Sequence, residues 1–489
     1  MDVRRLSRNC AFVFPNTLRY RQYKQAAVSF AKLSQQPPEA IAVYVHWPFC
    51  RQLCSYCNFN KYVRSVDKDF EQSMVECILQ DAAGQLKASG ASDIFSIYFG
   101  GGTPSLCSAS SIHSIIAGLG RLGNILPDAE VTLEANPSSS TDNKLRSFRD
   151  AGVNRISLGV QALNNEDLQL LNRDHTVEES LRTIESCQQI YPSQTSLDLI
   201  FARPAQTLQQ WQSELEQVLQ LCETHVSLYE LTIEQSTPLA RQVEKGELTV
   251  PGSDVKADMY QCAIETLSSH GLYRYQVSNF AKPGCEAQHN SSYWYGRPYI
   301  GLGPGAHGRY KRHPTPATSL SDRCSEAAAG GSVRSAGDDG DDGTLVDDKA
   351  WHHCVQVPEP NAWMTQVKAT GSGAAKCTPV QHIDMLQQVL ISSLYTDAGL
   401  SDETWCRVGS SHSLADIFQP VLSKRTSPLA DRVLLDQRGL RLSPDSIAVA
   451  DSLLPHLMLA VEKYITTKNI VPSTNTSSRS SSNNSSNNG

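Results

Sequence analysis

The chain has 489 residues, 40% of them apolar, and a formal net charge of -7, with a pI near 6.0. That length allows two or three domains with proper cores, while the acidic balance excludes the basic face a nucleic-acid footprint needs. No run approaches the roughly 18 apolar residues of a membrane span, so no transmembrane segment is expected, and the cysteines are too dispersed for a secreted disulfide scaffold.

Residues 1–38 carry Arg4, Arg5, Arg8, Arg19, Arg21, Lys24 and Lys32 against the single acid Asp2. An Arg-rich, acid-poor leader resembles a mitochondrial transit peptide, and this one ends abruptly at Pro37-Pro38-Glu39. Import into mitochondria is the expectation; a basic arm that is never cleaved is the alternative.

From residue 40 short β-rich runs alternate with helical patterns. The strand candidates are 41–46, 94–99, 131–135, 155–160, 196–201 and 225–231. Between the first two, Phe70, Met74, Cys77, Ile78 and Leu86 form one stripe at helical spacing over 68–88. Such alternation predicts a parallel α/β sheet, open or curled into a partial barrel. In parallel barrels the strand C-termini share one rim, which is the active face. Here the polar residues gather at that end: Glu134 and Asn136 after the third strand, Gln161 after the fourth, Asp198 in the fifth, Glu230 and Glu234 at the sixth. Singly, each has a plain structural explanation as a cap or a surface carboxylate; their joint placement points to a site.

After the first strand come Cys50, Cys54 and Cys57, a Cx3Cx2C triplet. Iron–sulfur clusters are held by Cys thiolates, and three thiolates on a four-iron cube leave one iron able to take another ligand. Zinc is the alternative, since three Cys plus one His is a zinc set and His46 lies just upstream; spacing alone leaves both open. Outside the triplet, reduced core thiols are expected. The second strand leads into Gly100-Gly101-Gly102-Thr103, where backbone N–H groups can approach a ligand. No Lys-Ser/Thr follows, so it is not a P-loop. A later Gly303-x-Gly305-x-x-Gly308 formally matches a dinucleotide fingerprint, but no helix pattern follows it, which predicts a tight turn.

Taken together, these motifs resemble the HemN/HemW branch of the radical S-adenosylmethionine (SAM) proteins. Beyond Tyr44–Phe59 the resemblance rests on Gly100–Ser105, Glu134-x-Asn136-Pro137, Arg155–Gln161, Asn172-Arg173-x-His175-Thr176 and Ser227–Glu234. It continues through Val277–Ala281, His289-Asn290-x-x-Tyr293-Trp294 and Gly301–His307. It covers about residues 41–310 and implies an α/β fold, a partial (β/α)6 barrel of radical SAM type with a smaller helical, winged-helix-like C-terminal domain. It also implies a [4Fe-4S] cluster on Cys50, Cys54 and Cys57, which displaces the zinc reading. SAM would be contacted by Tyr44, Gly101, Gly102, Thr103, Glu134, Gln161, Arg173 and Asp198, and heme by His289, with His307 a weaker candidate. The family's chemistry is one-electron cleavage of SAM to a 5′-deoxyadenosyl radical, which requires an electron donor for the cluster.

Two functions share this scaffold in the family: oxygen-independent coproporphyrinogen III oxidation, and the HemW-like heme-binding chaperones that pass heme to acceptor apoproteins. The oxidases carry Cys-x-Cys where this chain has Cys57-Asn58-Phe59. That difference and the leader favour the heme chaperone, so oxidase activity is not expected.

The domain plan expected from the sequence is a leader (1–38), a core (39–310), a low-complexity Ser/Gly/Asp insertion (311–350), a HemN-type C-terminal domain (351–465) and a disordered Ser/Asn tail (466–489). Three features depart from the family pattern. Ala202-Arg203 stands where the family has Gly-Leu, bringing a charge near the rim, and Gln387 and Tyr395 replace the usual residues of the first C-terminal helix.

Overall fold

The computed structural model describes residues 36–37, 39–313, 350–424 and 426–469. The expected leader, insertion and tail lie almost wholly outside the described residues.

The strands are β1 (Ile41–Trp47), β2 (Phe49–Cys50), β3 (Tyr62–Val63), β4 (Asp93–Gly101), β5 (Asn124–Ala135), β6 (Arg155–Gln161), β7 (Thr195–Phe201) and β8 (His225–Glu230). They continue as β9 (Tyr273–Gln276), β10 (Asn279–Ala281), β11 (Tyr299–Leu302), β12 (His307–Lys311), β13 (Trp351–Gln356), β14 (Ala374–Pro379), β15 (Val433–Asp436) and β16 (Gly439–Leu442). Twelve of them form one sheet in the order β14-β13-β12-β11-β1-β4-β5-β6-β7-β8-β10-β9. From β11 through β8 every pairing is parallel. The six strands expected from the sequence are β1 and β4–β8, laid side by side in chain order. Parallel strands joined in chain order call for crossovers of one hand, the arrangement a partial (β/α)6 barrel requires. β1 pairs with β11 instead of β8, so the sheet stays open.

Alternation along each strand divides the two faces. Val43 and Val45 of β1, Ile97 and Phe99 of β4, Val131 and Leu133 of β5, and Leu197 and Leu199 of β7 join one large apolar cluster. The first crossover helix, Lys68–Ser89, supplies Met74, Cys77, Ile78 and Leu86 to it. Each such fully buried side chain contributes roughly 1.5–3 kcal/mol of transfer free energy. Asp67 caps that helix by accepting from the Phe70 N–H, and Gly90 ends it at φ +66°, a left-handed stop that glycine takes without Cβ strain.

Beyond β10 the sheet is extended on its other edge. β11 and β12 are joined by a tight turn with Gly303 at φ +92° and Gly305 at φ +75°, so the glycine pattern here is a turn, as its flanks predict. A Cβ on Gly303 would lie 2.5 Å from the His46 carbonyl oxygen. Residues 351–379, grouped by sequence with the C-terminal domain, add β13 and β14 to the large sheet. The helix between them, Pro360–Thr370, buries Trp363, Met364 and Val367 in the large apolar cluster. Cys354 and Cys377 are direct partners across these strands and form a disulfide, so this pair departs from the expected reduced state because antiparallel register sets them face to face.

The second apolar cluster is built mainly from 385–461. It comprises helices His382–Leu394, Asp402–Arg407, Leu414–Leu422 and Ala450–Asn469 with the β15–β16 hairpin, a small helical, winged-helix-like unit. It is fastened to the sheet by Arg274 and Asp397, 3.1 Å apart and both largely buried, and by the Val277 N–H donating to the Tyr395 carbonyl at 3.0 Å. Among the described residues no helix is long and apolar enough to cross a membrane.

Candidate metal and cofactor site

The inward positions of the parallel strands are polar where the outward ones are apolar. Ser96 and Tyr98 on β4, Thr132 and Glu134 on β5, Ser157 on β6, Ser196 and Asp198 on β7, and Ser227 and Tyr229 on β8 alternate with the core residues above. At the C-terminal rim they open into a cavity of about 530 Å³. Cys50, Cys54 and Cys57 line it together with Gly101, Gly102, Thr103, Glu134, Gln161, Arg173 and Asp198. Of the site residues expected from the sequence, Tyr44, His289 and the weaker candidate His307 do not line it.

The thiol loop is held at several points. β2 pairs with β3, the Ser55 N–H donates to the Leu171 carbonyl at 3.0 Å, and Gly102 and Thr103 N–H groups donate to Trp47 and Phe49 carbonyls at 2.8 and 2.9 Å. The glycine run is first a packing device. A Cβ at Gly102 would lie 2.7 Å from the Pro48 carbonyl carbon, and one at Gly100 would lie 2.8 Å from the Tyr44 ring. Thr103 Oγ1 donates to Cys50 Sγ at 3.5 Å, and Arg173 Nη1 donates to Cys54 Sγ at 3.3 Å. Burial raises the Cys50 and Cys57 thiols on balance; the Thr103 hydroxyl at Cys50, the Phe59 backbone and Lys61 at Cys57, and more weakly Arg173 at both, pull toward the thiolate that a metal ligand must be.

The zinc alternative needs His46 as the fourth ligand. Its Nδ1 is 3.0 Å from the Tyr44 hydroxyl and its Nε2 2.8 Å from the Asn60 carbonyl, so both ring nitrogens are committed elsewhere. Among the described residues no three His, Cys, Asp or Glu side chains are gathered as a single metal ion demands. All three thiols line the one cavity, and Cys thiolates are the ligands of iron–sulfur clusters.

The polar rim is preorganised. Tyr98 hydroxyl and the Gly101 N–H both donate to Glu134, at 2.9 and 3.0 Å. Burial, the dominant cause, pushes the Glu134 carboxyl up to about 7 in spite of these bonds. Asp198 accepts from Ser157 at 2.6 Å and Ser196 at 3.1 Å, and burial raises its carboxyl too. Arg173 is anchored by the Gly159 carbonyl at 3.2 Å, yet its Nε and the Oδ1 of Asn136, both buried beside this cavity, lack partners among the described residues. Buried polar atoms are seldom left so; a polar ligand in the cavity would satisfy them.

A second cavity of about 520 Å³ adjoins the first and shares Phe59, Gly101 and Glu134 with it. Tyr44 lines this one, with His46, Tyr293, Tyr299 and His307. His289 lines neither. It is 1% exposed, with Nδ1 2.9 Å from Ser96 Oγ and Nε2 2.7 Å from the Tyr293 hydroxyl. Its ring stacks on Tyr98 at 5.0 Å, and burial lowers it to about 3. Arg203 is not a free charge at the rim. It is buried and pairs with Glu214 at 2.7 Å and Asp167 at 3.0 Å, and it does not line the cluster cavity. Ala202 and Ala205 each hold φ +59°, the strained conformation that glycine would take more cheaply. Gln387 and Tyr395 line neither cavity; Tyr395 hydrogen-bonds Asp451 within the C-terminal unit. Sequence reasoning passed over Tyr98, Ser157 and Tyr229, although each sits at even spacing on a strand that carries, or neighbours, a recognised inward residue.

The radical SAM superfamily pattern matches residues 44–218. Radical S-adenosyl methionine domain-containing protein 1, mitochondrial, of Danio rerio is 36% identical, over 91% of this chain and 92% of its own. The Mus musculus protein of the same name is 38% identical, over 85% and 87%. The heme chaperone HemW of Bacillus subtilis (strain 168) is 35% identical, over 55% of this chain and 70% of its own. Among solved structures, the coproporphyrinogen III oxidase HemN of Escherichia coli superposes with a TM-score of 0.62 at 21% identity, covering 89% of this chain and 93% of its own; at that identity the likeness speaks for the fold. The mitochondrial location expected from the leader agrees with the names of the two animal relatives.

Proposed function

The chain belongs to the radical S-adenosyl methionine domain-containing protein 1 family of radical SAM proteins, and on that footing we propose that it is a heme-binding chaperone that carries a [4Fe-4S] cluster and SAM and passes heme to acceptor proteins. The observation carrying the reading is the single cavity in which three cysteine thiols face Glu134, Gln161, Arg173 and Asp198. The names of the HemW relatives support the heme half of it.

Cys50, Cys54 and Cys57 hold the cluster. Arg173, whose planar fork suits a carboxylate, takes the SAM carboxylate, and its Nε gains the partner it lacks. Glu134 and Asp198 accept from the ammonium and ribose hydroxyls, while Gly101 to Thr103 and Gln161 shape the near wall. When bound, the two cofactors supply one-electron chemistry; the protein's part is position and exclusion of water. Oxidation of coproporphyrinogen is the less favoured reading, because Phe59 stands where the oxidases carry a further cysteine.

Anaerobic reconstitution with iron and sulfide, then titration with SAM and hemin, tests this. The expected result is a brown protein that binds SAM and hemin without consuming coproporphyrinogen. Coproporphyrinogen turnover would establish the oxidase instead, and a colourless, zinc-loaded protein would end both readings. His289 would need to give up one of its two ring hydrogen bonds to reach heme iron, and it lines neither cavity.

A further inference from the structure

We infer that the cavity beside the cluster is the heme seat, with His307 as the axial ligand to iron and His353 as the residue that positions it; this rests on the heme-chaperone reading above. His307 is exposed and lines that cavity. Its Nδ1 lies 3.3 Å from His353 Nε2 across the β12–β13 pair, and its Nε2 has no hydrogen-bond partner among the described residues. A histidine that binds metal through one nitrogen usually has the other hydrogen-bonded, which fixes tautomer and ring direction. Donation from Nδ1–H to His353 leaves the Nε2 lone pair of His307 as a ligand, and one such imidazole suffices for heme iron. Of the cavity's two histidines, His46 is excluded, since both of its nitrogens are hydrogen-bonded.

The surroundings suit a flat, anionic macrocycle. Tyr44, Tyr293, Tyr299 and Phe59 line the cavity, and Phe59 is 66% exposed, an aromatic left without cover at the mouth. Arg309 packs against the Tyr299 ring at 5.7 Å. It is buried, donates from Nη1 to Gln388 Oε1 at 3.2 Å and has no carboxylate partner among the described residues; it stands behind the Tyr299 ring and does not itself line the cavity. Its positive charge behind that wall favours an anionic occupant over a cationic one. The shared wall of Phe59, Gly101 and Glu134 sets the heme next to the cluster cavity.

The test is hemin titration of the full chain, reconstituted anaerobically, read by difference spectra in the Soret region and by the electron paramagnetic resonance of ferric heme. His307→Ala should weaken hemin binding more than about tenfold and change the axial-ligand signature, while SAM binding and cluster content hold. Added imidazole should restore the signature. His353→Ala should shift the signature with a smaller loss of affinity, and His353→Gln, which keeps an acceptor, should recover most of it. Wild-type spectrum and affinity in His307→Ala would overturn the assignment and leave the chaperone reading standing. Failure of the unaltered protein to bind hemin would instead overturn the chaperone reading itself.

Discussion

On β5, Val131 and Leu133 enter the helix-packed core, while Thr132 and Glu134, each one residue away, face the inside of the curled sheet. The same split runs along β4, where Phe99 is core and Tyr98 hydrogen-bonds Glu134, and along β7, where Leu197 and Leu199 flank Asp198. One face is closed, apolar and tolerant only of shape; the other is open and chemically specified. Stability and cofactor chemistry are thereby divided by a step of one residue, and substitutions on the two faces should separate cleanly.

The sharpest separation is expected at the thiols. Cys50→Ala, Cys54→Ala or Cys57→Ala should abolish cluster incorporation, measured as iron and sulfide content, yet shift the melting temperature of the cluster-free protein little, because none of the three is part of the apolar core. On the opposite face Leu133→Ala should cost about 3 kcal/mol or more in denaturant unfolding. A loss of iron without global destabilisation in Leu133→Ala would break the division.

Glu134 sharpens the comparison through pH. Its folded value, about 7, lies above the roughly 4.3 of a free glutamate, so the folded state favours the protonated carboxyl. That contribution is full below about pH 4.3 and is lost as pH rises toward 7. Unfolding midpoints across this window should fall with pH, and Glu134→Gln, which cannot ionise, should flatten the slope. The smallest effect is expected from Ser96→Ala, which leaves His289 Nδ1 without its partner at a cost of about 1 kcal/mol. It should also loosen the ring stacked on Tyr98, read as weaker SAM binding with cluster content unchanged.

The six parallel strands and the thiol loop were legible because their signals are local: apolar runs of strand length, and a close cysteine spacing that points to a metal-centred loop. Ten of the expected site residues share one cavity for a related reason, since the ends of neighbouring parallel strands necessarily meet. What sequence could not supply was pairing between distant segments. The charge of Arg203 looks free until Asp167 and Glu214 are seen beside it. Cys354 and Cys377 look like core thiols until antiparallel register opposes them. His289 sits in an aromatic motif that invites a ligand role, and only the fold brings Ser96 and Tyr293 to its two nitrogens. Conversely, the even spacing that marks Glu134 and Asp198 also marks Tyr98 and Ser157, so part of what was missed was readable.

The loop that bears the thiols is latched from far downstream. Asn60 Nδ2 donates to the carbonyls of Pro304 and Pro358, at sequence separations of 244 and 298 residues, and the Tyr62 hydroxyl donates to Pro358 as well. β1 likewise lacks one neighbour until β11 exists. Contacts of such long range form late. The thiol-bearing loop is therefore fastened in its folded shape only once the chain as far as Pro358 has been made and docked, so its closure belongs to the end of folding and not to its start.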